Sequence, residues 1–388
     1  MRRALACLPA LILLVTAVAV VPATSTYPAA AATGGAQADP LRRWYAALAG
    51  RYTEPVSVVV MGDSNAEGTG ATTSVHRRWQ QVLQAQLRAR FQPPGVKGAA
   101  VPYISASPRM YFVPADYERT ATAGVGESSY GLGQRSATIP AGESVTMAFV
   151  GRHAKLHARK GPEVGRYRIV LDGGTPVVVD GAAANGANGQ VIWDSGLLAA
   201  GRHTVQISRD SSSKAAAAAV YPEGLMTYDG DEKAGVRVID SARGGAKIGD
   251  FIGLNAWNWY QPFGALPAKG LLILPWGAND ATSGTSPEAF RAGLEALIVL
   301  ARGNGFAGSV LLVHMPKRGT ADGQVWADYR TQMEAIAASD PDVAVLDLRA
   351  RIPDQGGDDL GIYFDEVHYN DRGQAMIADQ IASAILPR

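Results

Sequence analysis

The stretch VVVMGDSNAEGTG, residues 58–70, ends an apolar β-branched run at Gly62 and sets Asp63, Ser64 and Asn65 directly after it. Far along the chain, FDEVHYN carries Asp365 and His368, three residues apart. Between them lie SARGG, with Ser241, Gly244 and Gly245, and GAND, with Asn279 and Asp280. A hydroxyl, an imidazole, a carboxylate, an amide and close-approaching glycine backbone are the groups that acyl transfer requires. A serine is a weak nucleophile until a base takes its proton, and a neutral histidine is the usual base near pH 7. A carboxylate fixes the imidazole tautomer and stabilises the imidazolium. The spacing of Asp365 and His368 lets one tight turn bring the carboxylate to Nδ1, leaving Nε2 for Ser64. A tetrahedral intermediate also needs donors aimed at its oxyanion. The Ser64 N–H, the Gly245 N–H and the Asn279 side-chain amide are the candidates. Taken singly, each segment also reads as an ordinary turn or a surface pair.

The elements that must position these groups emerge from hydrophobic period. PVSVVVMG (55–62) is a continuous apolar run, as in a strand buried on both faces. PLRRWYAALAG (40–50) reads as a short amphipathic helix, and Trp79, Val82, Leu83 and Leu87 give 74–91 helical spacing. From about 235 strands and helices alternate again. GVRVID, GLLILPW, GSVLLVH and VAVLDLR are strands; the segments from Ser286, from Val325 and from Asp371 are helices, with Ser286 a cap. KIGDFIGLNAWNWY (247–260) also has helical texture. Such alternation predicts a parallel sheet covered on both faces, with ligands bound beyond the carboxyl ends of its strands. Residues 99–230 differ: short alternating runs broken by Gly, Pro, Asn and Asp predict an antiparallel β-sandwich inserted into the α/β unit.

The four segments resemble, in order, the sequence blocks of the SGNH/GDSL hydrolase superfamily. GDSN is similar to the first block with Ser64 as its serine, SARGGAKI to the glycine block, GAND to the GxND block and DEVH to the DxxH block. Asn65 stands where Leu or Ile is common, and the glycine block lacks the usual Asn and Ser, so Gly244 and Gly245 both stay open as oxyanion donors. The resemblance covers about residues 52–95 and 235–388. It implies a three-layer α/β/α, flavodoxin-like fold and a Ser64–His368–Asp365 triad. It also implies an oxyanion hole from Ser64, Gly245 and Asn279, with no metal and no cofactor. The insert bears a looser similarity to galactose-binding-like jelly rolls, in which Tyr130 and Trp193 would stack on a sugar face; a lid over the cleft is the other reading.

Composition bounds the rest. The chain has 388 residues, 47% hydrophobic and 18% charged, enough for a sizeable core. MRR, an apolar run and AAA make residues 1–32 read as a cleaved signal peptide, with an uncleaved membrane anchor as the rival reading. The one cysteine, Cys7, lies in that leader, so the mature chain would hold neither disulfides nor a thiolate nucleophile. Losing Arg2 and Arg3 leaves 34 basic against 35 acidic residues, a net charge of −1 that gives no support for nucleic-acid binding. The domains expected are 40–95 with 235–388 as the hydrolase and 99–230 as the insert.

The expected activity is a secreted serine esterase, cell-wall association included, that is not membrane-embedded once mature. Its partner would be an acylated carbohydrate, a glycolipid or a small ester, with acetyl the first acyl group to consider. The alternatives are an acyltransferase with the same triad, a lipase on longer chains, and a carbohydrate-binding protein on an inert scaffold. Other candidates read as structural. His153 and His157, four apart in GRHAKLHARK, are expected in a solvated basic loop with no carboxylate close by. His203 falls in a β run. His314 ends a strand as a satisfied, partly buried side chain. Asp63 and Asp280 serve as hydrogen-bonding struts, and Trp257, Trp259 and Tyr260 form either a cleft wall or core.

Overall fold

Five strands form a parallel sheet: β1 (Pro55–Val60), β2 (Gly235–Asp240), β3 (Gly270–Leu274), β4 (Ser309–His314) and β5 (Val343–Asp347). Their spatial order is β2-β1-β3-β4-β5. This computed structural model describes residues 39–109, 115–214, 217, 219–252, 269–319 and 321–387. The leader with Cys7, Trp257, Trp259 and Tyr260 fall outside the described residues.

β1 is buried along Val56–Val60, and its side chains alternate between two cores. Val56, Val58 and Val60 face α1 (Arg42–Ala49), α3 (Trp79–Phe91) and α7 (Asp371–Ile385). Val59 and Met61 face α5 (Pro287–Gly303) and α6 (Gly323–Ser339). Two short helices, α2 (Ser64–Glu67) and α4 (Ala278–Thr282), come directly after β1 and β3. Each fully buried valine of β1 contributes about 1.5–3 kcal/mol relative to exposure, so this strand is a fixed platform for the Gly62–Asn65 turn at its end. The expected α/β/α layering is thus present. The helix read as starting at 74 begins at Trp79, whose N–H is capped from afar by the Gln374 side chain at 2.9 Å. Ser286 accepts from the Ala289 N–H as the expected cap.

The insert is antiparallel. One sheet orders Ala187–Asp194, His153–Lys160, Pro222–Tyr228 and Tyr103–Ser105; a second orders Arg119–Ala121, Ser144–Gly151, Gly201–Arg209, Arg166–Leu171 and Val177–Asp180; a third, small one orders Ala219–Val220, Ser136–Pro140 and Gly126–Ser128. Leu156 and Leu225 of the first meet Met147, Phe149, Ile169 and Val205 of the second in one apolar core. The outer face of the first sheet presents Tyr103, Met226 and Tyr228 to Val59, Met61 and Ile239 of the parallel sheet. The insert and the α/β unit therefore share a core, and residues 38–388 form one compact unit.

Two histidines differ from expectation. His153 and His157 lie on the strand His153–Lys160, not in a loop. Ala154, Leu156 and Ala158 point inward from it, and alanine is too weakly apolar for that alternation to stand out in the sequence. Nor are carboxylates distant: His153 bonds Asp194 at 2.6 Å and Glu232 at 2.8 Å. His157 is buried with Nδ1 3.0 Å from the Gly189 carbonyl, and burial pushes its imidazole down to about 4.

Candidate active site

In a sheet of this order the strand sequence reverses between β1 and β3, and ligands gather at that switch point. Ser64 comes after β1 and Asn279 after β3, so both stand at the switch point. Asp63 caps α2 by accepting the Asn65 N–H at 2.9 Å, which fixes the first turn carrying Ser64. Gly62 is required just before it: a Cβ there would lie 2.8 Å from the Ala66 Cβ and 3.0 Å from Pro275. Gly70, at φ +91°, lets the DEVH loop come close, since a Cβ would lie 2.6 Å from the Tyr369 carbonyl.

The DEVH loop brings the other two groups in. Asp365 Oδ1 accepts the N–H groups of Val367 and His368, both at 2.7 Å. Its Oδ2 lies 2.8 Å from His368 Nδ1, and His368 Nε2 lies 2.9 Å from Ser64 Oγ. A carboxylate only accepts, so Nδ1 carries the proton and Nε2 accepts from the serine hydroxyl. Partial burial works against ionisation of Asp365, but the bonds from His368 and the two backbone N–H groups outweigh it and hold the carboxyl below its ordinary range.

The glycine loop resolves two similar residues by their partners. The Gly244 N–H donates to Glu67 Oε2 at 2.7 Å. Gly245, at φ +75°, bonds its N–H to no described residue. Asn279 donates one amide hydrogen to the Ala246 carbonyl at 2.9 Å, which fixes its orientation and leaves a second hydrogen.

Glu67 escaped the sequence reading, although its place three residues after Ser64 on a helix puts both on one face. It pairs with Arg135 of the insert, which also binds Asp240 at 2.8 Å; Arg78 binds the same carboxylate at 2.7 Å. Burial would raise the Asp240 carboxyl, yet Arg135 and Arg78 outweigh it and hold it well below its ordinary range. Beside Arg135, the Gly133 N–H donates to Ser241 Oγ at 3.0 Å and Gln134 Oε1 accepts from Arg243 at 3.0 Å. The insert is thereby bolted to the glycine loop. Arg135→Ala takes the guanidinium partner from Glu67 and leaves Asp240 with Arg78 as its one remaining ion-pair partner among the described residues. We expect it to cost about 3–5 kcal/mol of unfolding free energy, read by urea titration, and to lower turnover through the Glu67–Gly244 link.

Asp63 and Asp280 act as struts, the latter accepting the Ile248 N–H at 3.2 Å. Burial, with Asp280 adding to it, pushes Asp63 up to about 7; burial pushes Asp280 up to about 6. Folded Asp63 thus keeps its proton through a range where the unfolded chain loses it. Its contribution to stability is full below about pH 4 and is lost as pH rises to about 7. Asp63→Asn keeps the cap acceptor and removes this loss. Its melting temperature, relative to the unsubstituted protein, is expected to rise from pH 4 to 7 and level off above, a gain of up to about 4 kcal/mol.

The remaining candidates have partners within the fold. His314 is buried with Nδ1 2.9 Å from Asp347 and Nε2 2.9 Å from the Trp326 carbonyl. His203 engages Asp172 and the Ala199 carbonyl. Tyr130 packs edge-on against Tyr221 under the Arg159 guanidinium, and Trp193 packs against the sandwich core.

Residues 209–376 match the model of the GDSL-like lipase/acylhydrolase family. Among solved structures, one described as a peptidoglycan O-acetylesterase in action is 14% identical with a TM-score of 0.62, covering 91% of this chain and 96% of its own. That coverage takes in the insert as well as the α/β unit. A family two carbohydrate esterase from Clostridium thermocellum, an active-site mutant, is 13% identical over 69% of this chain and 98% of its own, with a TM-score of 0.32. One from Cellvibrio japonicus is 12% identical over 73% and 96%, with a TM-score of 0.30. No curated protein matches this chain. The protein is an ester hydrolase. Its segment 209–376, which holds the last three of the four sequence blocks, is similar to the GDSL-like hydrolases.

Proposed function

We propose that the protein is an exported serine esterase that removes a short acyl group, acetyl first, from a carbohydrate. Ser64 Oγ attacks the ester carbonyl carbon while His368 Nε2 takes its proton. Asp365 holds the imidazole and stabilises its cation. The oxyanion takes hydrogen bonds from the N–H groups of Ser64 and Gly245 and from the Asn279 amide. Gly245 fills this role, and not Gly244, because the Gly244 N–H is engaged by Glu67. The intermediate collapses, the sugar oxygen leaves with the proton from His368, and Ser64 keeps the acyl group. Water then attacks with His368 as base, releasing the acid and the free serine.

The observation that carries this reading is the unbroken relay from Asp365 through His368 to Ser64, at 2.8 and 2.9 Å. The leader-like N-terminus supports export. One neighbour sharing the fold is described as a peptidoglycan O-acetylesterase, which makes O-acetylated cell-wall glycan a natural first substrate. The test is release of p-nitrophenol from acetyl, butyryl and octanoyl esters, with Ser64→Ala in parallel. Fast, Ser64-dependent acetyl cleavage is expected; a clear preference for octanoyl would overturn the short-acyl assignment.

A further inference from the structure

We propose that the cleft between the Ser64 edge and the insert is the subsite for the alcohol half of the ester, and that it takes a ring of a neutral oligosaccharide. This rests on the esterase reading above. The cleft has a volume of about 260 Å³. It is lined by Glu67, Arg243 and Gly244 of the α/β unit and by Ser107, Glu127 and Ser129 of the insert. Its Gly244 wall adjoins Ser64: a Cβ placed on Gly244 would lie 3.8 Å from the Ser64 Cβ. It is smaller than the roughly 300–1,000 Å³ of pockets that enclose a drug-sized ligand. That size suits a single sugar ring whose neighbours run out into solvent.

The lining selects the ligand. Among the described residues, every side chain facing this cleft is polar or charged. An acyl chain laid there would desolvate guanidinium and carboxylate groups with nothing in return. Sugar hydroxyls both donate and accept, and serine hydroxyls, a carboxylate and guanidinium groups match them. The charges are also already paired. Arg109 meets Glu127 at 3.0 Å, Arg243 meets Asp250 at 3.2 Å, and Arg135 meets Glu67. No lone charge in the described lining demands an ionic ligand, so a neutral glycan fits better than an anionic one. Gln134 supplies a further sign of a prepared site. It is buried at φ +52°, a conformation that costs a non-glycine residue energy, and it is held there through Arg243 and the Asp250 carbonyl. A wall fixed in advance loses less entropy when the ligand binds.

The experiment uses the Ser64→Ala protein and calorimetric titration with xylotetraose, chitotetraose, tetragalacturonate and octanoate. One of the two neutral sugars is expected to bind, and which one does so distinguishes a plant-type from an aminosugar glycan. Adding Ser129→Trp, an exposed position whose new side chain fills the cleft, is expected to weaken that binding at least tenfold. Glu127→Gln, which keeps shape and removes charge, should weaken it in the same direction. In the Ser64-containing protein, Ser129→Trp is expected to lower kcat/KM for the acetylated tetrasaccharide at least tenfold relative to p-nitrophenyl acetate. Neutral-sugar binding that survives Ser129→Trp overturns the proposal, as does tighter binding of tetragalacturonate or octanoate. These outcomes are separate from those of the esterase reading, because the binding arm is measured without Ser64.

Discussion

Ser64→Ala is expected to lower ester hydrolysis at least a thousandfold while the melting temperature stays within a few degrees. In the proposed mechanism Ser64 is the one group for which the site offers no substitute. Its hydroxyl is half-buried at the first position of α2, and its only side-chain partner among the described residues is His368. Removing it leaves the Asp63 cap, the Glu67–Gly244 bond and both cores untouched. Residual activity would come from water, assisted by His368 and the oxyanion donors. In serine proteases such remnants still give about 10³–10⁴-fold over the uncatalysed rate. For the same reason the double variant Ser64→Ala/His368→Ala should be scarcely slower than either single one. Initial rates on p-nitrophenyl acetate, with a thermal melt of each variant, check both statements.

Asp365→Asn is expected to have an effect of similar size, about 10⁴-fold on kcat, although it changes one atom. The reason lies in the two acceptor roles of the carboxylate. Oδ1 faces the N–H groups of Val367 and His368, so the amide of the variant must place its oxygen there. Its NH₂ then faces His368 Nδ1 and donates. Nδ1 becomes the acceptor, the imidazole proton moves to Nε2, and Nε2 can no longer take the proton of Ser64. Asp365→Glu preserves the charge and not the turn, and should fall between the two. The check is kcat together with the nitrogen chemical shifts of the His368 ring, which report the tautomer directly. An unchanged tautomer with full activity would remove Asp365 from the mechanism.

Much of this site was legible because its parts are local. Gly62–Asp63–Ser64–Asn65 is one turn after one strand, and Asp365 with His368 is one turn in the last loop. The strand β1 was readable because Val56, Val58, Val59 and Val60 are all buried, and a strand covered on both faces has no polar alternation. Gly244 and Gly245 could not be told apart by type; the difference is the Glu67 carboxylate, a tertiary partner. Arg135 lies 68 residues from Glu67, in a different layer. An arginine in a glycine-rich loop normally reads as solvated, and only the fold shows it buried between the Glu67 and Asp240 carboxylates. The strand with His153 and His157 was obscured by the opposite effect, since its inward residues are small and its outward ones basic.

The role given to the insert changes accordingly. Its anchoring through Gly133, Gln134 and Arg135 ties it to the edge that carries Ser64, and the same loop lines the cleft proposed to take a sugar. Deleting residues 99–230 would therefore remove the support of the glycine loop along with any glycan selectivity.

The most direct test of the central claim is covalent labelling with a fluorophosphonate and subsequent peptide mapping. The phosphorus would be attacked by the relay-activated hydroxyl, with fluoride leaving. One adduct on Ser64, appearing in step with the loss of esterase activity and absent from His368→Ala, is the predicted result. Activity lost without modification of Ser64, or an adduct on another serine that tracks the loss, would contradict the account.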